Sequence, residues 1–162
     1  MTTFYRFVRA ILAVAVLAFG AFTATAGTAE TAFLAKYVGS WTGSGKMTGA
    51  ETGPISCRLT FKQSGAKVNY AGRCNFKDMG AQSFTGTLSY NDAKARYESR
   101  ANGKTVIGTR QGNALTFVSS IRTMEGSGTS AMTLGPNTLT IDTTIKSSKG
   151  ETAKVKMTFK KN

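Results

Sequence analysis

The feature that most constrains the fold of this sequence is a strict alternation of apolar and polar residues. In the first clear stretch, Ile55, Cys57, Leu59 and Phe61 alternate with polar residues. The same period recurs at 68–76, 84–90, 95–101, 115–121, 132–134, 139–145 and 155–159. A period of two is typical of β-strands that bury one face, and no stretch after residue 40 has helical spacing over three turns. The sequence therefore predicts an all-β protein.

Short segments rich in Gly, Asn and Lys separate these strands, as hairpin turns do. They lie at 64–67, 91–94, 102–104, 112–113, 135–137 and 148–150. About eight to ten short strands joined in this way form an antiparallel up-and-down meander, which closes into a barrel because closure removes exposed edges. A β-sandwich is the alternative, but the long crossovers of Greek-key sandwiches are missing. Residues 30–37 are predicted to form a short helix that covers one end.

The N-terminal residues have the three parts of a secretory signal peptide. Arg6 and Arg9 precede an apolar stretch at 10–22, and Ala24-Thr25-Ala26 forms a cleavage pattern. The apolar stretch is shorter than the ~20 residues of a membrane span. We therefore expect a signal peptide at 1–26, cleaved after Ala26 or alternatively after Ala29. A single β-barrel domain at 27–162 would then lie in the periplasm, with no transmembrane segment after cleavage.

The sequence has two cysteines, which are expected to pair because an exported protein meets an oxidising compartment. If 65–66 form a two-residue turn, Ser64 faces Lys67 and the register places Cys57 opposite Cys74. Facing Cα atoms in such a pair are about 4.5 Å apart, within the range that a disulfide accepts. The cysteines lack the C-x-x-C spacing of redox pairs. A structural Cys57–Cys74 disulfide is therefore predicted.

Residues 39–45, Gly-Ser-Trp-Thr-Gly-Ser-Gly, open the first strand and carry a family resemblance. A short helix running into Gly-x-Trp resembles the lipocalin-like (calycin) barrels, in which Gly39 and Trp41 would have a packing role. The longer run is similar to the opening of nitrobindin-type haem-binding barrels. With Cys57-Arg58 and Arg73-Cys74, the pattern is also similar to small exported bacterial proteins of unknown function. The resemblance implies a closed or nearly closed barrel.

The interior of a small barrel is either filled by side chains or holds one small ligand. Small inward-facing residues favour a cavity, and they are Gly72, Gly86, Ser99, Gly108 and Ser119. The candidate ligand-binding residues, with tyrosines as polar handles, are Trp41, Phe61, Tyr70, Tyr90, Tyr97 and Phe117. The sequence thus predicts an exported lipocalin-like protein of the bacterial cell envelope that binds a small apolar ligand. A fully packed core is the simpler alternative.

The outward positions are rich in Lys and Arg, and the net charge is +13. Loss of Arg6 and Arg9 with the signal peptide leaves +11. The predicted basic wall consists of Arg58, Arg73, Lys154, Lys156 and Lys160. As an alternative function, this wall would bind an anionic partner such as a lipid headgroup, lipopolysaccharide or an acidic polymer. A solvated surface is the simpler explanation. No nucleic-acid module is evident, and a monomer is expected.

The sequence contains no histidine. This excludes Ser-His-Asp and Cys-His catalysis, histidine metal sites and the histidine-ligated haem of nitrobindin-type barrels. The eight acidic residues form no evident carboxylate pair, and no Gly-x-Ser-x-Gly elbow is present. We therefore expect a non-catalytic protein without a metal or a cofactor.

Overall fold

A computed structural model describes residues 26–77 and 80–162. The predicted signal peptide lies outside the described residues except for Ala26. The chain begins with helix α1 (Ala26–Ala35), and a short 3-10 turn (Asp92–Lys94) follows the fourth strand. The strands are β1 (Gly39–Gly49), β2 (Gly53–Ser64), β3 (Lys67–Phe76), β4 (Gly80–Asn91), β5 (Arg96–Ala101), β6 (Lys104–Gln111), β7 (Ala114–Thr123), β8 (Gly126–Leu134), β9 (Thr138–Ser147) and β10 (Thr152–Lys161).

Each strand pairs antiparallel with the next, and β1 pairs with β10, so the ten strands form a closed barrel. The predicted meander and its closure are confirmed, and the sandwich alternative is wrong. The predicted helix at 30–37 is present but begins at Ala26. Its sequence contains four alanines, and alanine has the highest helix propensity of the amino acids.

Helix α1 and the chain that follows it cover one end of the barrel, here called the closed end. Phe33, Leu34 and Tyr37 are buried there. The Tyr37 hydroxyl donates to the carbonyl of Leu134 at 3.4 Å, and Trp41 Nε1 donates to the carbonyl of Tyr37 at 3.0 Å. The turns after β1, β3, β5, β7 and β9 lie at the opposite end, here called the open end.

The core is most tightly packed beside the closed end. There the inward-facing residues of β7 to β10 form one row across the strands, and all four are 0% exposed: Leu115, Leu134, Leu139 and Phe159. Burying a large aliphatic or aromatic side chain contributes roughly 1.5–3 kcal/mol. This row therefore anchors the fold at the end that the helix covers.

Three inward-facing glycines do not leave the cavity that the sequence predicted. A Cβ at Gly72 would collide with the ring of Phe84, and one at Gly108 would lie 2.6 Å from the ring of Phe117. At Gly86 the ring of Tyr70 fills the same space. The prediction of empty space beside these glycines was wrong, because an aromatic ring on the neighbouring strand leans over each of them.

The predicted disulfide is confirmed. Ser64 faces Lys67 and Cys57 faces Cys74, as the turn at 65–66 requires. The two cysteines are bonded, with their Cα atoms 4.1 Å apart, and both are buried on the inner face. Gly65 has a φ of 57°, the left-handed conformation that suits glycine at such a turn.

Across the described residues, no helix is long and apolar enough to cross a membrane.

Candidate functional site

The wall of the barrel has a gap on one side of the open end. The ladder between β6 and β7 runs from Gln111↔Ala114 to Gly108↔Phe117 and stops there, although both strands continue. Segment 104–107 of β6 keeps its partners on β5, and segment 118–121 of β7 keeps its partners on β8. Each segment therefore has a ladder partner on one side only. We call the space between them the slit.

The slit is a groove of about 570 Å³. Its lining includes Lys104, Val106, Ile107, Val118, Ser119 and Ile121. On the outer lips, Ile107 is 53% exposed and Val118 is 64% exposed. Exposed apolar side chains that cluster in one place mark binding surfaces more often than scattered ones do.

The inner face beside the slit contains apolar side chains that the protein leaves uncovered. Ile121 of β7, Gly128 of β8 and Ile145 of β9 face one another across the strands, and we call them the isoleucine row. Ile121 is 46% exposed and Ile145 is 48% exposed. A Cβ at Gly128 would meet only one atom, the Thr144 carbonyl oxygen at 3.6 Å. Unlike the three glycines covered by rings, Gly128 therefore borders open space.

The next row toward the closed end is polar. Ser119, Ser130 and Thr143 face one another on β7, β8 and β9, and we call them the hydroxyl row. The hydroxyls of Ser130 and Thr143 lie 2.8 Å apart in a hydrogen bond, and all three residues are half-buried. An apolar site with a few converging polar groups is the usual composition of a small-molecule site.

The six residues predicted to bind a ligand lie away from the isoleucine row. Trp41, Phe61, Tyr97 and Phe117 are buried in the core. Tyr70 and Tyr90 are half-buried and pack against that core. Their ligand-binding role stays a prediction, because no ligand contact tests it.

The hydroxyls of two of these tyrosines already have protein partners. The Tyr97 hydroxyl bonds to the Glu30 carboxylate and accepts from Arg110 Nη1 at 3.2 Å. The Tyr70 hydroxyl lies 3.3 Å from the Ser99 hydroxyl. Tyr97 therefore links the helix to the barrel wall, and Tyr70 of β3 links across β4 to Ser99 of β5.

The alternation at 115–121 places Ile121 on the inner face, but it does not single out the isoleucine row. The sequence did contain a signal for this row. Ile121 and Ile145 both fall in the inward-facing phase of their strands, and each lies close to a turn. The alternation gives the face of a residue, whereas its exposure depends on what covers that end of the barrel. Only the structure shows what covers that end.

Two titratable groups have displaced pKa values. Burial raises the pKa of Tyr37 at the closed end to about 12, against a smaller opposing effect of Arg110. On the outer face of β5, hydrogen bonds from Arg100 and Arg96 lower the pKa of Glu98 to about 2. The Glu98 carboxylate also accepts from Asn91 Nδ2 at 3.1 Å. It lies opposite Ile107, so this charged cluster supports the strand beside one lip of the slit.

The residues of the predicted basic wall are all exposed, and the register brings three of them into one row. Arg73 faces Arg58, Arg58 faces Thr42, and Thr42 faces Lys160. None of the ion pairs in the described part of the chain involves Arg58, Arg73 or Lys160. Like charges that face each other directly across strands are destabilising, which makes this row the most distinctive part of the wall.

The other two lysines of the wall lie apart from that row. Lys156 faces Lys46 on β1 and forms an exposed ion pair with Asp142 at 3.5 Å. Lys154 faces Thr48. The wall is therefore not uniform, and its directly facing cations lie in the row that crosses β3, β2, β1 and β10.

Comparisons with known proteins yield structural similarity only. No protein-family model and no curated protein matches the sequence. Among solved structures, the chain is similar to an S-type phycobiliprotein lyase, CPES, from Guillardia theta, with a TM-score of 0.59 and 10% identity over 86% of this chain and 98% of that one. It is also similar to Rv2717c from M. tuberculosis, with a TM-score of 0.59 and 12% identity over 85% of this chain and 98% of that one.

The first of these structures corrects the expectation of a non-catalytic protein. That expectation depended on the missing histidine and the scarcity of carboxylates. A protein with a similar barrel is named a lyase, so a barrel of this kind does not by itself argue against catalysis. At 10% identity the similarity itself extends to the fold alone. Together, the closed ten-strand meander and both structural similarities show that this protein has a lipocalin-like barrel fold.

Proposed function

We propose that this protein binds a small apolar ligand at the open end of its barrel, with the isoleucine row as the contact surface. The supporting observation is that Ile121 and Ile145 face inward and are nevertheless about half exposed. A completely filled barrel would bury both side chains. Because each side chain is already about half buried, a ligand that covered the rest would gain roughly half of the ~1.5–3 kcal/mol of full burial for each of them.

The surroundings of Gly128 support the same placement. The space above this glycine is open, whereas rings fill the space above Gly72, Gly86 and Gly108. The hydroxyl row lies directly beneath the isoleucine row and offers polar groups that would orient a ligand. Both neighbours in the fold comparison share the barrel, and the ligand class is inferred from this chain's own residues.

Binding of the neutral fluorophore diphenylhexatriene tests the proposal. Gly128→Leu fills the open space and should lower the affinity for the probe by about tenfold or more. Thr129→Leu adds the same side chain at the neighbouring outward position and serves as the matched control. Binding that is unchanged in Gly128→Leu, or a wild-type protein that does not bind the probe, would contradict the proposal.

A second candidate function is binding of an anionic partner through the basic wall. The row Arg73–Arg58–Thr42–Lys160 favours it, because facing cations destabilise the sheet unless a counter-charge lies over them. Three residues of this row, Thr42, Arg58 and Arg73, line a groove of about 430 Å³ together with Ser56 and Asn75. Hydroxyl and amide groups beside the guanidinium groups would add hydrogen bonds to an anion.

Binding to anionic vesicles tests this second candidate. The double variant Arg58→Gln/Arg73→Gln should bind more weakly than Lys156→Gln, whose lysine is already paired with Asp142. Binding should also fall as the salt concentration rises. Equal effects of the two variants, or binding that is independent of salt, would argue against the basic wall as the interface.

We further propose that the protein is exported, with cleavage near Ala26, and that it works in the cell envelope. The signal-like sequence at 1–26 and the Cys57–Cys74 disulfide support this, because disulfides persist in oxidising compartments. Mass spectrometry of the protein from the periplasmic fraction should find a chain that begins at Gly27 with no free thiol. An intact N-terminus in the cytoplasmic fraction would refute export.

A further inference from the structure

We propose that the slit between β6 and β7 binds the anionic head group of an amphiphilic ligand, with Lys104 as its counter-charge. This inference rests on the proposed apolar site and adds the chemical class of the ligand. The ligand would be a monoanionic amphiphile, such as a long-chain carboxylate. Its apolar part would lie over the isoleucine row, and its head group would lie in the slit.

The slit connects the isoleucine row with solvent through the side of the barrel. Ile121 belongs to the isoleucine row and also lines the slit. Val106 lines it from the other strand. The two surfaces are therefore continuous, and a ligand in contact with the isoleucine row could extend sideways between the two strands.

The charge of the slit determines which head group it fits. Of the described residues that line it, Lys104 is the only charged one, and no carboxylate is among them. Lys104 is two residues from Val106 and therefore shares its inward-facing phase in β6. Because its ammonium group is exposed at the edge of an apolar groove, an anion placed there would gain an ion pair without the desolvation cost of a deeply buried charge.

Polar groups on both lips would complement the lysine. The Ser119 side chain belongs to the hydroxyl row and lines the slit from β7. Because the ladder stops at Gly108↔Phe117, the backbone edges of 104–107 and 118–121 have no ladder partner across the slit. A head group that accepts hydrogen bonds therefore has more than one donor within the groove.

Two fluorescent probes that differ only in charge test the inference, namely dansyl-aminoundecanoic acid and its methyl ester. The wild-type protein should bind the acid more tightly than the ester. Lys104→Gln should weaken binding of the acid by about twofold to fivefold, the size of one exposed ion pair, and leave the ester unchanged. Lys62→Gln removes one charge from an exposed position of β2, outside both the slit and the basic wall, and should change neither.

Filling the slit gives an independent measurement. Ser119→Phe should weaken binding of both probes by about tenfold or more, whereas Ser127→Phe, at an exposed outward position of β8 that does not line the slit, should not. Lys104→Glu changes only an exposed side chain and should reverse the preference between acid and ester. It therefore keeps the inference testable if Ser119→Phe fails to fold.

The results separate the two proposals. Equal affinity for acid and ester in the wild-type protein, unchanged in Lys104→Gln, would overturn the head-group inference and leave the apolar site standing. Absence of binding of both probes would overturn the apolar site itself. Tighter binding of the acid with no effect of Lys104→Gln, but a loss in Arg58→Gln, would assign the anion to the basic wall and overturn the slit.

Discussion

The closed end and the open end of the barrel consist of the same strands, yet they differ in what covers them. On β9, Leu139 near the closed end is 0% exposed, whereas Ile145 near the open end is 48% exposed. Both residues face inward, and the strand is continuous between them. At the closed end, Tyr37 reaches the carbonyl of Leu134, which faces Leu139, whereas only turns lie beyond Ile145. A barrel wall therefore does not by itself bury its inner face.

The glycines give the same contrast at atomic scale. Gly108 on β6 lies under the Phe117 ring, and Gly128 on β8 lies under nothing but one carbonyl oxygen. In the packed part of the barrel, aromatic rings occupy the space that glycines on the neighbouring strands leave free. Near the open end no ring reaches over the glycine, and space for a ligand remains.

The largest effect is expected from shortening one inward-facing side chain near each end of β9. Leu139→Ala should lower the free energy of unfolding by about 2–5 kcal/mol, because it removes buried atoms and leaves a cavity. Ile145→Ala should lower it by less than about 1 kcal/mol, because the side chain is already half in water. Urea denaturation of both variants measures the difference. Similar losses would show that the two ends are equally packed.

Loss of the disulfide is expected to have the next largest effect. In the chain-entropy model, a bridge with a sequence separation of 17 stabilises by about 3 kcal/mol. The double variant Cys57→Ala/Cys74→Ala should therefore unfold at a clearly lower urea concentration than the wild-type protein. The wild-type protein after reduction is the second comparison. If the disulfide does not contribute to stability, the wild-type protein, the double variant and the reduced wild-type protein will have equal unfolding midpoints.

Alanine at two inward-facing glycines should produce opposite results. Gly86→Ala should destabilise by about 1–3 kcal/mol, because its Cβ would collide with Tyr70 and lie 2.6 Å from the Arg100 carbonyl oxygen. Gly128→Ala should be neutral or stabilise by up to about 1 kcal/mol, because it reduces the freedom of the unfolded chain without a collision. Thermal unfolding of the pair checks this. Destabilisation by Gly128→Ala would mean that no open space lies above it.

The sequence was sufficient for the parts of the fold that depend on local pattern. Alternation predicted the strands, and the turn at 65–66 predicted the register that brings Cys57 to Cys74. The same register requires that Arg58 faces Arg73, as the structure shows. These predictions succeed because strand geometry has a fixed period and a hairpin turn sets one register.

The candidate site could not be predicted in the same way. Whether the ladder between β6 and β7 continues past Gly108 depends on how the two strands diverge, which alternation does not encode. The space above Gly86 depends on the direction in which the Tyr70 ring leans, a matter of packing across strands. The sequence therefore identified the inner face but not which part of it stays uncovered.

The smallest effect concerns Glu98, beside one lip of the slit. Its pKa is lowered from 4.5 to about 2 in the folded protein, chiefly by hydrogen bonds from Arg100 and Arg96. A carboxylate with a lowered pKa stabilises the folded state above its unfolded pKa, and this contribution is lost as the pH falls toward the folded value. The free energy of unfolding of the wild-type protein should therefore decrease between about pH 5 and pH 2.

The variant Glu98→Gln isolates this contribution. It lacks the titrating carboxylate, so its stability should fall less steeply with decreasing pH than that of the wild-type protein. Glu125→Gln removes one negative charge at an exposed turn of the open end and controls for the change in net charge. Urea denaturation at several acidic pH values measures the slopes. If Glu98→Gln and the wild-type protein have the same slope, the Arg96–Glu98–Arg100 cluster does not stabilise the strand beside the slit, and the stability of that lip must come from the β5–β6 ladder alone.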